Sequence, residues 1–131
     1  MEDFVTFGIA KKLKEKGFSL NKEDIEFIGC RFIFSDECTI KRISTIGAYE
    51  KGYFGENINC PTISQVLKWL REEHSIHVST KPYPCENGAM WLYEIRQFNK
   101  YISVVVANKT VFTREEQASL AGIEYVIDNL I

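Results

Sequence analysis

The second half of the chain alternates helix and strand patterns with very short connections. One helix pattern begins at Thr62, three strand patterns lie between Ile76 and Ala107, and a second helix pattern begins at Thr113. Connections this short favour antiparallel pairing of consecutive strands. Residues 62–131 are therefore predicted to form an αβββα segment of an α+β protein.

Alternation within the predicted strands indicates a sheet that is covered on one side. Three segments have the strand pattern, namely residues 76–81, 90–98 and 101–107. In the middle strand Trp91, Tyr93 and Ile95 share one face, while Glu94 and Arg96 share the other. The apolar face is expected to contact the helices.

Both helices of this segment begin with a predicted capping box. In 62–65 and in 113–116 a threonine is followed three residues later by glutamine or glutamate, which can satisfy the first backbone amides. In the last helix Ala118, Ala121 and Gly122 place small side chains on one face. This pattern predicts a close approach of that helix to the sheet.

The first half is predicted to be an αββ segment over residues 1–46. A helix is expected over 6–16, with a threonine as its N-cap and Gly17 as its left-handed stop. Strand-forming residues over 25–34 and 38–46 flank turn residues and predict a hairpin. The chain is thus predicted to be a single α+β domain, with an antiparallel sheet of four to five strands and helices packed mainly on one face.

Residues 47–61 form a predicted loop that is rich in glycine and asparagine. Tyr49, Tyr53 and Phe54 lie within it. Long loops in compact domains are often functional, so one hypothesis is that these aromatic residues of the loop bind a partner. The alternative interpretation is that they anchor the loop to the body of the protein.

A nucleic-acid function is the second hypothesis, and the charge balance does not favour it. The formal net charge is −2, and the two parts of the chain before and from Thr62 carry nine against ten and seven against eight basic and acidic residues. Binding through phosphate contacts requires clustered cations. The candidate residues for such a cluster are Lys11, Lys12, Lys14, Lys16, Lys68 and Arg71.

Enzymatic chemistry is the third hypothesis, and the sequence argues against it. Cys85, in a predicted turn over residues 82–88, is the candidate nucleophile, but it would need a histidine brought beside it by the fold, and its neighbour Glu86 is acidic. Cys60, His74, His77 and Cys85 lack the tight ligand pairs of a zinc site. The sequence contains no phosphate-binding glycine loop or hydrolase motif, so no catalytic residue, metal ligand set or cofactor is predicted.

The order of elements over 62–131 resembles that of the double-stranded-RNA-binding domain. Residues 117–121, Gln-Ala-Ser-Leu-Ala, resemble the small-residue face of that family's last helix. The family has a lysine cluster where this chain has Arg114, Glu115 and Glu116, and a minor-groove motif where this chain has residues 82–88. The resemblance therefore implies the fold and not the RNA-binding activity.

A second resemblance covers the whole chain. The segments 4–6, 10–14 and 61–72, with the last helix introduced by Thr113, are similar to a group of small uncharacterised proteins of gut bacteria and their phages. That resemblance implies a phage or mobile-element context and no activity.

The sequence thus favours a non-enzymatic protein-binding or adaptor module with an unidentified protein partner. The acidic start and the lack of eighteen consecutive apolar residues predict a cytoplasmic protein that does not enter a membrane. The sequence predicts no oligomeric state.

Overall fold

The computed structural model describes residues 3–18, 30–34, 39–44, 58–86, 88–98, 102–107 and 110–131. Their helices and strands are, in chain order, α1 Phe7–Glu15, β1 Cys30–Phe34, β2 Ile40–Ser44, α2 Ile63–His74, β3 Ile76–Cys85, β4 Gly88–Phe98, β5 Ile102–Ala107 and α3 Glu115–Asn129. The α+β class is confirmed.

Two compact units make up the chain. One is Phe4–Thr62, and the other is Ile63–Ile131 together with Asp3. The described strands form a two-stranded sheet, β1–β2, and a three-stranded sheet, β3–β4–β5. The sheet of four to five strands is not confirmed, and the single domain over 1–131 stays a prediction.

In the first unit, α1 begins and ends as its sequence predicts. The Ile9 amide donates to Oγ1 of Thr6 at 3.3 Å, which makes Thr6 the N-cap. Gly17 follows the helix with φ +84°, a conformation that glycine adopts without a steric penalty. Ile9 and Leu13 are buried along one face of the helix.

The first unit also contains the predicted hairpin. β1 and β2 are antiparallel, with Phe34 opposite Ile40. On the other side of β1, Ile33 forms a bridge with Asn59, and the Phe34 amide donates to the Ile58 carbonyl at 3.0 Å. The end of the predicted loop 47–61 is therefore extended backbone paired with β1.

In the second unit, β3, β4 and β5 form an antiparallel sheet in sequence order. Ser75 is the only residue between α2 and β3, and its φ of +55° reverses the chain directly into the sheet. Val78 lies opposite Ile95 in the register. Between Ile95 and the next residue of β4 the pairing with β5 shifts, as in a β-bulge.

The apolar face of this sheet is covered, as the alternation in β4 predicts. Tyr93 is 7% exposed and Ile95 is fully buried. α3 contacts β3 and β4, and α2 contacts both β3 and α3. Gly122 of α3 lies directly against Val78 and Tyr93, which confirms the predicted close approach.

Two local predictions in this unit are wrong. β3 continues to Cys85, through Pro82 and Pro84, although these prolines suggested a turn. β4 begins at Gly88, where φ is +122°. A proline-containing segment can remain in a strand when it lies at the edge of a sheet, where no ladder hydrogen bond depends on the proline.

The predicted capping box of the last helix is the second error. α3 begins at Glu115, and its N-cap is Arg114, which makes no side-chain capping bond. Backbone pairing of Phe112 with Trp91 holds the preceding chain extended. The Thr113 hydroxyl instead donates to the side chain of Gln117 at 2.9 Å.

Candidate functional site

The candidate site is the face of the β3–β4 hairpin opposite α3. Val78 and Tyr93 point toward Gly122, so residues of the other parity on each strand point away from α3. We call this surface the open face. Its residues are His77, Ser79, Lys81, Tyr83, Met90, Leu92, Glu94, Arg96 and Phe98.

A charged triad lies at the centre of the open face. Lys81 Nζ donates to Glu94 Oε2 at 2.8 Å, and Arg96 Nε donates to Glu94 Oε1 at 2.6 Å. The Lys81 bond, followed by the Arg96 bond, lowers the pKa of Glu94 below its ordinary value. Glu94 is therefore a carboxylate at neutral pH.

Exposure is unequal within this triad. The side chains of Lys81 and Arg96 are 54% and 41% exposed, whereas that of Glu94 is 13% exposed. A molecule approaching the face therefore meets two cationic groups, with the carboxylate lying beneath them. Together the three groups carry one excess positive charge.

Apolar and aromatic side chains flank the triad on both sides. Toward the helix end, the rings of His77 and Phe98 meet edge to face with centroids 6.2 Å apart, and Phe98 is 39% exposed. Toward the hairpin tip, Tyr83 is 50% exposed and faces Met90 across the strands. Aromatic residues, methionine and arginine are enriched in protein-binding surfaces.

The edge of the hairpin is less suited to binding than its face. The Phe98 amide donates to the Ser75 carbonyl, and Trp91 exchanges backbone hydrogen bonds with Phe112. Hydrogen-bonded and non-hydrogen-bonded residue pairs alternate along an antiparallel pair of strands, so the backbone nitrogens of Pro82 and Pro84 face away from β4. Proline carries no amide hydrogen to donate. The outer part of β3 therefore resists the addition of another strand.

Apart from the open face, a concavity lies where α2 and α3 begin. It has a volume of about 360 Å³ and is lined by Asp3, Ile63, Ser64, Leu67, Glu115, Glu116 and Ser119. Two of its carboxylates already have partners: Glu115 accepts from the Thr80 hydroxyl at 3.0 Å, and Glu116 pairs with Arg114. These contacts stabilise the start of α3, where negative charge is favourable.

The candidate nucleic-acid residues are divided between the two units. Lys11, Lys12, Lys14 and Lys16 lie in or directly after α1, and Lys11 Nζ lies 5.6 Å from the ring centroid of Phe7. Lys68 and Arg71 lie on α2 of the other unit. Tyr49, Tyr53 and Phe54, the predicted partner-binding loop, lie outside the described residues.

The cysteine and histidine candidates are not grouped into a metal site in the described part of the chain. Cys60 is buried, and desolvation raises the pKa of its thiol to about 12. Cys85 is exposed at the end of β3, and its thiol donates weakly to the Tyr83 carbonyl at 3.6 Å. His74 is the last residue of α2, and the centroid of its ring lies 4.7 Å from the ring centroid of Trp69.

Sequence reasoning identified only part of the open face. It placed Glu94 and Arg96 on the outward side of β4, but it assigned Tyr83 to a turn. The missed signal is the proline at alternate positions 82 and 84, which is compatible with an edge strand. Lys81 could not be assigned to the triad without the strand register.

Comparison with known proteins adds no assignment: no protein-family model, curated protein or solved structure matches this chain. Among the helices that the structure describes, none is both long and apolar enough to cross a membrane.

Proposed function

We propose that this chain is a non-enzymatic protein-binding or adaptor module that binds its partner through the open face. The observation that carries the proposal is the exposure of two aromatic side chains, Tyr83 and Phe98, one on either side of the triad. Aromatic residues and arginine are enriched in the energetically important parts of protein interfaces. The prolines at the edge of β3 direct binding to the face.

The start of α3 supports this proposal over RNA binding. In the double-stranded-RNA-binding domain this position carries lysines, whereas Arg114 here is paired with Glu116. The adjacent Glu115 accepts a hydrogen bond from Thr80. A phosphate approaching this helix would meet carboxylates.

We further propose that residues 62–131 have a fold like that of the double-stranded-RNA-binding domain, in a protein of phage or mobile-element origin. Support for the fold comes from the order α2, β3, β4, β5, α3 and from the antiparallel pairing of the strands. A cytoplasmic location belongs to the same proposal.

Site-specific photo-crosslinking tests the binding function. A photoreactive phenylalanine is placed in the full chain at position 83 or 98, and at position 125 on α3 as the aromatic control. In extract of the cells that encode the protein, positions 83 and 98 are expected to give the same discrete protein adduct, and position 125 none.

A competition arm shows whether that adduct is specific. Excess unlabelled chain should abolish the adduct, while chain carrying Tyr83→Ala and Phe98→Ala should not. Equal adducts from all three positions would contradict a binding face. Adducts that nuclease removes would favour the nucleic-acid alternative.

A further inference from the structure

Resting on the proposed function, we infer that the open face recognises an extended acidic segment of a partner protein. One carboxylate of the segment binds between Arg96 and Lys81, and apolar side chains on either side of it pack on the flanking aromatic residues. The partner is thus defined by its chemistry: an extended segment with an acidic residue at its centre and apolar residues four positions to either side.

The hydrogen bonds of Arg96 leave it able to bind a second carboxylate. Among the described residues it bonds only through Nε, to Glu94, so its two terminal nitrogens remain available. Those nitrogens form the planar fork that matches a carboxylate. Lys81 is more than half exposed and can add a second cationic donor.

The charge distribution favours an anion over a cation. Two exposed cationic groups cover one largely hidden carboxylate, and His77 opposite Arg96 adds no negative charge.

Spacing along the strands favours an extended protein segment over a nucleic acid. Residues two apart on one face of a strand are about 6.6 Å apart. Along β4, Phe98 lies two such steps from Glu94 on one side, and Met90, which faces Tyr83, lies two steps from Glu94 on the other. An extended peptide places its own alternate side chains at the same interval. A phosphate backbone needs a longer row of cations than these two.

Nuclear magnetic resonance titration of the full chain tests the inference. The probe is an undecapeptide with glutamate at its centre, leucine four positions to either side and serine elsewhere. Saturable shifts are expected at the Arg96 side-chain Nε–H and at the Lys81 amide. Replacing the peptide's glutamate with glutamine should weaken binding about fivefold, and NaCl at about 0.5 M should weaken it further.

Three protein variants distinguish recognition from a structural role. Arg96→Gln should weaken binding about fivefold, whereas Arg114→Gln, an arginine outside the open face, should leave it unchanged. Glu94→Gln removes the carboxylate that competes for both cations and should tighten binding about threefold. If Glu94 only supported the fold, its replacement would weaken binding or leave it unchanged.

Equal affinity for the glutamate and glutamine peptides, or no saturable shift on the open face, would overturn the inference. Tighter binding of a single-stranded DNA of a dozen nucleotides at the same residues would overturn it in favour of a nucleic-acid surface. Failure of the peptide together with specific crosslinks from positions 83 and 98 would refute the acidic partner and leave the binding function standing.

Discussion

A Cβ atom added to Gly122 would lie 2.7 Å from Cγ1 of Val78. It would also lie 3.3 Å from two ring carbons of Tyr93. Both neighbours are buried side chains of the sheet, so neither can move into solvent. The absence of a side chain at Gly122 therefore sets how closely α3 approaches β3 and β4.

We expect Gly122→Ala to lower the free energy of unfolding by up to about 2 kcal/mol, because overpacking costs about 1–3 kcal/mol and the helix propensity of alanine returns about 1 kcal/mol. Urea denaturation followed by far-ultraviolet circular dichroism measures it. Gly8→Ala in α1 is the control, since its Cβ would meet nothing within 4 Å. Gly8→Ala should raise the free energy of unfolding by about 0.5 kcal/mol.

Combining Gly122→Ala with Val78→Ala should lower the free energy of unfolding by less than the sum of the two single changes, and strict additivity would contradict the clash.

The two threonines at helix starts should differ in their contribution to stability. Thr6→Ala removes an N-cap bond and should cost about 1 kcal/mol. Thr113→Ala removes only a bond to the Gln117 side chain and should cost less than about 0.5 kcal/mol. Thermal unfolding of both variants measures the difference. Equal losses would mean that Thr113 also caps its helix.

The triad should be visible in the titration of Glu94. Its pKa is lowered in the folded protein, so its contribution to stability is present above the ordinary value of 4.5 and is lost as the pH falls through the folded pKa. Carboxyl chemical shifts in the intact protein should give a midpoint below 4.5. Lys81→Gln should move that midpoint up toward 4.5, and a midpoint that does not move would show that the Lys81 bond is not formed in solution.

Burial of Cys60 should control both its reactivity and the stability of the protein at high pH. Its thiol pKa of about 12, against 9.0 for an exposed thiol, leaves about a thousandfold less thiolate near pH 8. Pulsed alkylation with mass spectrometry should therefore modify the exposed Cys85 and spare Cys60 until the protein unfolds.

The raised pKa of the Cys60 thiol also predicts how the stability of the protein changes at alkaline pH. Above pH 9 the unfolded chain loses the Cys60 proton while the folded chain keeps it, so stability declines as the pH rises from 9 toward 12. The decline from this group approaches about 1.4 kcal/mol per pH unit. Cys60→Ala should unfold with a shallower alkaline dependence, and an unchanged slope would contradict the burial of the thiol.

Local sequence patterns were sufficient where the physical cause is local. The N-cap at Thr6 and the stop at Gly17 depend on hydrogen bonds and backbone angles within a few residues. The alternation of Tyr93 and Ile95 predicted the buried face of β4, because burial follows the two-residue period of a strand. The antiparallel order of β3, β4 and β5 follows from the short connections.

Local sequence patterns gave wrong bounds for an element where those bounds depend on contacts with a distant segment. Pro82 and Pro84 read as turn residues, and only their position at the edge of the sheet explains why a strand tolerates them. The late start of α3 depends on the pairing of Phe112 with Trp91, which lies far away in sequence.

The sequence by itself determined the α+β class, the order of the described helices and strands, and the side of β4 that is buried, because these depend on periodicity and on hydrogen bonds over a few residues. Tertiary structure decided that Lys81 and Arg96 share the carboxylate of Glu94 and that Gly122 meets Val78. Both contacts depend on strand register and helix placement, which arise from packing between residues far apart in the chain.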